Sequence, residues 1–264
     1  MKIGLSMLYC INRPFSEMLK ILEEIDVKNV EIIDEGPHSL NEERIREIRR
    51  ISYERDLEIS VHSPFIDVNI ASTSSWIRQT SLKRLKKSIL LSGELDSPLW
   101  VFHPGLKNHD SYFYSDLNWE MNLKSVRELL AFAKKRDVRI TIENGLATFS
   151  FLLSSVEDFD RFYNDLGEEE LGLTLDIGHA NINGQIFKFI DRYAEKIVHT
   201  HLHDNHGTSD EHLGVGKGNI DWAKVIQALD KKNYKGTLII ESEKDIEYSL
   251  EKIRSLIYTS HGIG

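Results

Sequence analysis

A single α/β domain closed into a (β/α)8 barrel, the TIM barrel, is the fold class the sequence predicts. Short apolar, β-branched runs alternate with longer amphipathic segments along the whole chain. Eight such pairs occupy 264 residues, close to the length of about 250 residues that closed barrels use. No Gly-, Ser- or Pro-rich linker and no block of like charge divides the series, so residues 1–264 are read as one domain. Nearly continuous apolar strands need cover on both faces, which a parallel sheet with helical crossovers provides.

The elements follow in order. KIGLSM (2–7) opens the series and leads to a helix over Glu17–Ile25. VEII (30–33) precedes a helix over Glu42–Tyr53, started by Asn41. LEISVH (57–62) is followed by Ile77–Leu91, and LWVFH (99–103) by Leu117–Lys135. VRITIE (138–143) leads to Val156–Leu166, whose start is marked by Ser155 with Asp158 three residues on. LGLTLD (171–176) precedes a helix near Gln185–Arg192, IVHTHL (197–202) one over Trp222–Leu229, and TLIIE (237–241) one over Ile246–Ile257.

Composition narrows the function. The single Cys10 excludes an internal disulfide, and no run of about 18 apolar residues is long enough to span a membrane. The opening MKIGLSMLYC meets Asn12, Arg13 and Pro14 too soon to act as a signal peptide, which leaves a cytoplasmic protein as the expectation. With 42 acidic against 33 basic residues the net charge is −9, which gives no broad electrostatic footprint for nucleic acid. Histidine is the conspicuous residue. His179, His199, His201, His203, His206 and His212 crowd one stretch together with Asp176, Asp204 and Asp210. A solvated face would use Lys and Glu instead, so this composition leans toward metal.

Working residues of such barrels sit where strands end. His62 in HSPF and His103 in FHPG end neighbouring strands. A lone His in that position is commonly structural, but two in the same arrangement strengthen each other. Glu143 closes VRITIE, and a charge after an apolar run must be solvated, paired or coordinated. Asp176 ends LGLTLD with His179 three residues on in DIGH, and His201 falls in HTHLHD. His199 and His201 share a strand face, but His199, His203 and His206 are assigned supporting or surface roles. In DEHLGVGKGNI, Gly214, Gly216 and Gly218 make a tight turn that returns Asp210 and His212 over the mouth. As a phosphate cradle this run is weak, because it follows no strand. Glu241 ends TLIIE. The candidate ligands are therefore His62, His103, Glu143, Asp176, His179, His201, Asp210, His212 and Glu241. These N/O donors suit divalent Zn, Mn, Co or Mg, and nine are too many for one ion.

In order, HSPF, FHPG, IEN, DIGH, HLHD, DEHLGVGKGNI and the terminal IIE resemble the motifs of the xylose isomerase-like TIM-barrel superfamily. The resemblance covers nearly the whole chain and is plainest from His62 to Glu241. Within the superfamily the ligand motifs resemble those of endonuclease IV, the zinc-dependent enzyme that cuts DNA at abasic sites. That family holds three zincs with five His, two Asp and two Glu, and each has a counterpart among the nine positions above. The resemblance implies that Glu143 bridges two metals and that Glu241, Asp176 and His201 complete a buried pair. His62 and His103 would serve an outer metal, and His179, Asp210 and His212 the third. A metal-bound hydroxide, not a side chain, would be the nucleophile.

Several departures bear on substrate. The first strand leads to MLYCINRPF with no Gly-rich, DNA-gripping loop, and Phe65 stands where that family has Tyr. Asp34 and Glu35, after the second strand, would repel a phosphate backbone. Arg78, Lys83, Arg84, Lys86 and Lys87 are read as the solvated face of one helix.

The expectation is a multi-metal phosphoester hydrolase holding up to three ions, zinc first. Its substrate would be small and phosphorylated or sugar-like, or else abasic DNA. The alternative is a sugar or sugar-phosphate isomerase or epimerase with one metal on Glu143, Asp176, His201 and Glu241. There Glu143 and Glu241 would be the catalytic pair, moving a proton α to a carbonyl, while His62, His103, Asp210 and His212 would contact substrate or be vestigial. A third reading is a metal-binding scaffold without turnover.

Overall fold

The computed structural model describes residues 1–97, 99–107, 116–168 and 170–260. Eight parallel strands close into a barrel in chain order. They are β1 (Lys2–Ser6), β2 (Asn29–Ile33), β3 (Glu58–His62), β4 (Leu99–Phe102), β5 (Ile140–Glu143), β6 (Gly172–Asp176), β7 (Ile197–Leu202) and β8 (Thr237–Ile240). Closure is made by β8 pairing back onto β1, with Ile3 opposite Leu238 and Leu5 opposite Ile240. Around the barrel run α1 (Phe15–Glu24), α2 (Glu42–Arg55), α3 (Ser75–Glu94), α4 (Leu117–Lys134), α5 (Val156–Leu166), α6 (Ile177–Ile182), α7 (Ile186–Tyr193), α8 (Trp222–Lys231) and α9 (Ile246–Ser260). No helix among the described residues is long and apolar enough to cross a membrane.

Local chemistry fixes these boundaries. Asn41 Oδ1 accepts from the Arg44 amide to start α2, and Ser155 and Asp158 form a reciprocal capping box at α5. Gly167, with φ +69°, ends α5 in the left-handed region that glycine adopts without strain. The first helix begins at Phe15, directly after Pro14, two residues earlier than its apolar periodicity suggests. The six-residue α6 was not foreseen at all. It starts within the DIGH motif, where Asp176 accepts from the His179 amide at 2.6 Å and so caps a helix on the end of β6.

Alternation along the strands sorts the core into two shells. Outward-facing Trp100 donates its indole N–H to Ser88 Oγ on α3 at 3.0 Å and stacks on Phe102 at 5.3 Å. Phe159 and Phe162 of α5 pack with Phe189 and Tyr193 of α7 between helices and barrel. Inward-facing positions near the C-terminal rim carry polar side chains instead, which reserves that end for the site.

The acidic pair after β2 and the basic helix α3 depart from expectation. Asp34 does not face the mouth. It is fully buried, accepts the Leu40 amide at 2.7 Å, and receives a two-pronged guanidinium from Arg84 at 2.9 and 2.7 Å. Glu35 accepts the amides of Phe65 and Ile66, each at 3.0 Å, and so holds the loop after β3. Arg78 is buried and donates to the Ser72 carbonyl, and Lys86 pairs with Glu128. Of the five basic residues read as a solvated face, Lys83 and Lys87 keep that role. The α3 spacing concealed this because helix periodicity does not show which neighbouring loop presents an unpaired carboxylate.

Arg84→Ala leaves the Asp34 carboxylate buried with its main-chain donor alone. Urea unfolding is expected to show a loss of about 2–4 kcal/mol, below the fully buried limit because the arginine is partly exposed. Lys83→Ala should change stability by less than about 0.5 kcal/mol.

Candidate metal-binding active site

Strand ends deliver the side chains. His62, Glu143 and Asp176 are the last residues of β3, β5 and β6, and His201 is the penultimate residue of β7. His103 and Glu241 lie one residue beyond β4 and β8. His179 comes from α6, and Asp210 and His212 from the loop between β7 and α8. That loop is tied down by Asp204, whose carboxylate accepts the amides of Gly216 and Ile220 and the Trp222 indole N–H. His212 is steered by its Nδ1, which donates to the Glu241 carbonyl at 2.9 Å and leaves Nε2 facing Asp210 at 3.3 Å.

All nine residues converge on one mouth, in three groups of which two share Glu143, and within each group the donor atoms lie within 4.8 Å of one another. Glu143, Asp176, His201 and Glu241 form the deepest. His201 Nδ1 stands 3.4 Å from Glu143 Oε1, 3.4 Å from Glu241 Oε2 and 3.9 Å from Asp176 Oδ2. His62 and His103 approach the other oxygen of Glu143, at 3.4 and 3.2 Å. His179, His203, Asp210 and His212 form the third group, with His179 Nε2 3.5 Å from Asp210 Oδ2.

Two residues stand differently from their sequence reading. His203, assigned a supporting or surface role, is fully buried, 3.2 Å from Asp176 Oδ1, and belongs to the third group. Its alternation with His199 and His201 was the available signal, obscured because β7 ends between them. Glu31, not singled out at all, is buried in β2 and meets both His199 and His201. A charged residue inside the apolar run VEII was its signal, since a buried carboxylate demands a partner. His206 does lie at the surface, paired with Glu211.

The site fits a divalent cation. Glu143 Oε2, Asp176 Oδ2, His201 Nδ1 and Asp210 Oδ1 are buried without a hydrogen-bonding partner, although each lies near other donors. Unpaired buried polar atoms are costly, and atoms that crowd together without aligning on one another are arranged for a shared ion. Charge supports this. Burial disfavours ionisation of Glu143, but the His201 and His103 imidazoles outweigh it and hold its carboxyl well below the usual range. Burial also opposes charge on His179, yet Asp176, Asp210 and Glu143 overcome it and push that imidazole up to about 10. Glu241 moves the other way, raised by burial and by the neighbouring Glu143 and Asp176 despite His201.

The mouth encloses a cavity of about 300 Å³ whose lining mixes seven of these donors with Leu8, Ile33, Phe65, Phe149 and Phe151. That volume is at the small end of small-molecule sites. Among the described residues no Lys or Arg lines it, and the stretch 108–115 contains neither.

Such a fold and mouth define a closed parallel barrel with candidate divalent-metal ligands gathered on one rim. The chain belongs to the xylose isomerase-like TIM barrel family, whose model matches residues 19–257. It is 31% identical over 248 residues to the uncharacterized protein MJ1311 of Methanocaldococcus jannaschii, covering 92% of this chain and 84% of that one. It superposes on the crystal structure of a D-tagatose 3-epimerase-like protein with a TM-score of 0.93 and 29% identity, over 99% of this chain and 98% of the other. A D-psicose 3-epimerase of Enterocloster bolteae is 20% identical over 258 residues, 91% of this chain and 82% of its own.

These relatives overturn the expectation of a multi-metal phosphoester hydrolase. The functions their names carry are sugar epimerisations, and neither an endonuclease IV activity nor abasic DNA as substrate is supported. The cavity gives the physical reason. A phosphodiester backbone would find no guanidinium or ammonium on the lining, and Glu243 adds another carboxylate. Nine donors on one rim report a capacity for metal; they do not report which bond is broken, and zinc in particular has no support from them.

Gly178 in α6 packs against the His203 ring, which occupies the space any Cβ would need. Gly178→Ala is therefore expected to displace His203 and cost about 1–3 kcal/mol. Thermal unfolding and the imidazole resonances of His203 check it: both should change, whereas Gly184→Ala, with open space around it but a left-handed backbone at φ +65°, should lower stability and leave the His203 resonances in place.

Proposed function

We propose that this protein is a divalent-metal-dependent epimerase of a small, unphosphorylated ketose or ketose-like sugar. One observation carries the reading. Glu143 and Glu241 rise from β5 and β8, on different sides of the barrel, and both reach within 3.4 Å of the same His201 nitrogen. A sugar seated above that point has a carboxyl group on each face.

Glu143, Asp176, His201 and Glu241 would hold the ion. Three carboxylates and one imidazole form an oxygen-rich set of the kind that suits Mn²⁺ or Mg²⁺ and admits Co²⁺. Bound there, the ion supplies Lewis-acid polarisation of a substrate carbonyl. The protein's own groups do the proton work. One glutamate removes the proton from the carbon next to the carbonyl, the electron pair moves onto the carbonyl oxygen, and the other glutamate returns a proton to the opposite face. The carbon inverts with no net change in protons.

His62, His103, Asp210 and His212 are suited to sugar hydroxyls around this centre, and Phe65 and Phe151 to the C–H face of the ring or chain. The absence of Lys and Arg from the described lining argues against a phosphorylated sugar. The family relatives that carry epimerase names support the same reaction class.

With Mn²⁺ or Co²⁺ restored after chelation, the protein should interconvert ketohexoses epimeric at C3 and incorporate deuterium from D₂O at that carbon. Glu143→Gln and Glu241→Gln should each lower kcat by about 10²–10⁴-fold. No exchange from any free ketose in the metal-loaded protein would rule the reading out.

A further inference from the structure

His201 is held between two different surroundings. Its Nδ1 faces the Glu143 and Glu241 carboxylates, whereas Nε2 turns away from the mouth and lies 3.0 Å from Glu31 Oε1. Both of those last two atoms are buried and neither makes a formed hydrogen bond, which leaves each with the other, 3.0 Å away, as its available partner. The second oxygen of Glu31 is already engaged: His199 Nε2 lies 2.9 Å from Oε2, and Ser60 Oγ donates to it at 3.3 Å. One oxygen of Glu31 is thus anchored by β3 and β7, and the other is aimed at a single imidazole nitrogen. Glu31, His199 and His201 are all buried.

We infer that Glu31 is a positioning residue for the proposed metal centre: it accepts the Nε2 proton of His201 and so fixes the tautomer whose Nδ1 lone pair faces Glu143, Asp176 and Glu241. A neutral imidazole carries one proton on its two nitrogens, and the partner of one nitrogen decides what the other can do. Carboxylates behind ligating histidines set ring orientation and raise ligand basicity in just this way. His199 in turn steadies Glu31, which gives the second inward histidine of β7 a purpose that the mouth does not explain. The rival assignment makes Glu31, His199 and His201 a metal site themselves, since their donor atoms also lie within 4.8 Å. Against it, Glu31 Oε2 is already occupied by His199 and Ser60. The inference rests on the metal-holding part of the proposed function and is independent of the sugar.

The test uses ¹⁵N-labelled full-length protein and diamagnetic Zn²⁺ alone as probe, with the His201 imidazole followed by long-range ¹H–¹⁵N correlation and assigned from its absence in His201→Gln. The expected spectrum retains a protonated Nε2 and shows a coordination shift at Nδ1. Glu31→Gln should weaken Zn²⁺ binding, read at His201, by about 10–100-fold, with the circular dichroism of the folded protein unchanged. Coordination at Nε2 with a proton on Nδ1 would overturn the inference in favour of the rival site. So would a Glu31→Gln affinity within about 3-fold of the parent. If Glu31→Gln does not fold, the spectrum of the parent protein still decides. A protein that shows the expected tautomer yet exchanges no ketose would retain the role of Glu31 and lose the epimerase reading.

Discussion

Burying several carboxylates side by side is the constraint around which the upper half of this barrel is organised. Glu31, Glu143, Asp176 and Glu241 are no more than 5% exposed, and like charges in a low-dielectric interior repel strongly. No Lys or Arg among the described residues pairs with any of the four. Imidazoles do so instead, and imidazole is the one side chain that can give up its compensating proton to a cation near neutral pH. The balance is therefore exchangeable. Protonated histidines can satisfy the site in one state and a metal in another, which permanent ammonium or guanidinium partners would prevent.

Much of this was legible in the sequence because a parallel barrel converts chain order into position. Each β–α unit contributes one strand end to one rim, so that listing the residue at the end of LEISVH, LWVFH, VRITIE, LGLTLD and TLIIE already lists five of the nine rim donors. Strand boundaries were readable for the same reason, since apolar runs stop where polar loop residues begin. What escaped reading was set by contacts between units. Glu31 lies in mid-strand and matters only because β7 presents two histidines across the barrel. His203 lies beyond the end of β7 and is drawn in by the short α6, whose Gly178 lets the ring approach. The Arg84–Asp34 pair joins a helix to a loop 50 residues away, a distance over which helix periodicity carries no information.

The function was misread for a related reason. Donor residues at strand ends follow from the need to hold a metal, and that need is common to reactions that break phosphoesters and to those that move protons on sugars. Discrimination belongs to the rest of the lining. Here the donors share the lining with aromatic and aliphatic side chains, and the loops contribute carboxylates where a phosphate would require cations. Those loop residues are the least patterned part of the chain, and their placement depends on ties such as Glu35 to the Phe65 and Ile66 amides, which no motif announces.

Donor number and metal number also part company at Glu143. Its Oε1 lies near His179 and His201, and its Oε2 near His62 and His103. One carboxylate thus joins all three groups, and Asp176 links the deepest group to His203. Filling one group alters the charge that the others see, so the nine rim donors cannot be treated as independent sites to be divided by four. Their asymmetry matters as well. The His62 and His103 rings stand against Phe65 and Phe151, with ring centroids between 5.4 and 5.8 Å apart, on the side where the cavity is apolar. The quartet below is oxygen-rich and closed. On the proposed reading the ion takes the closed end and the sugar lies between the two.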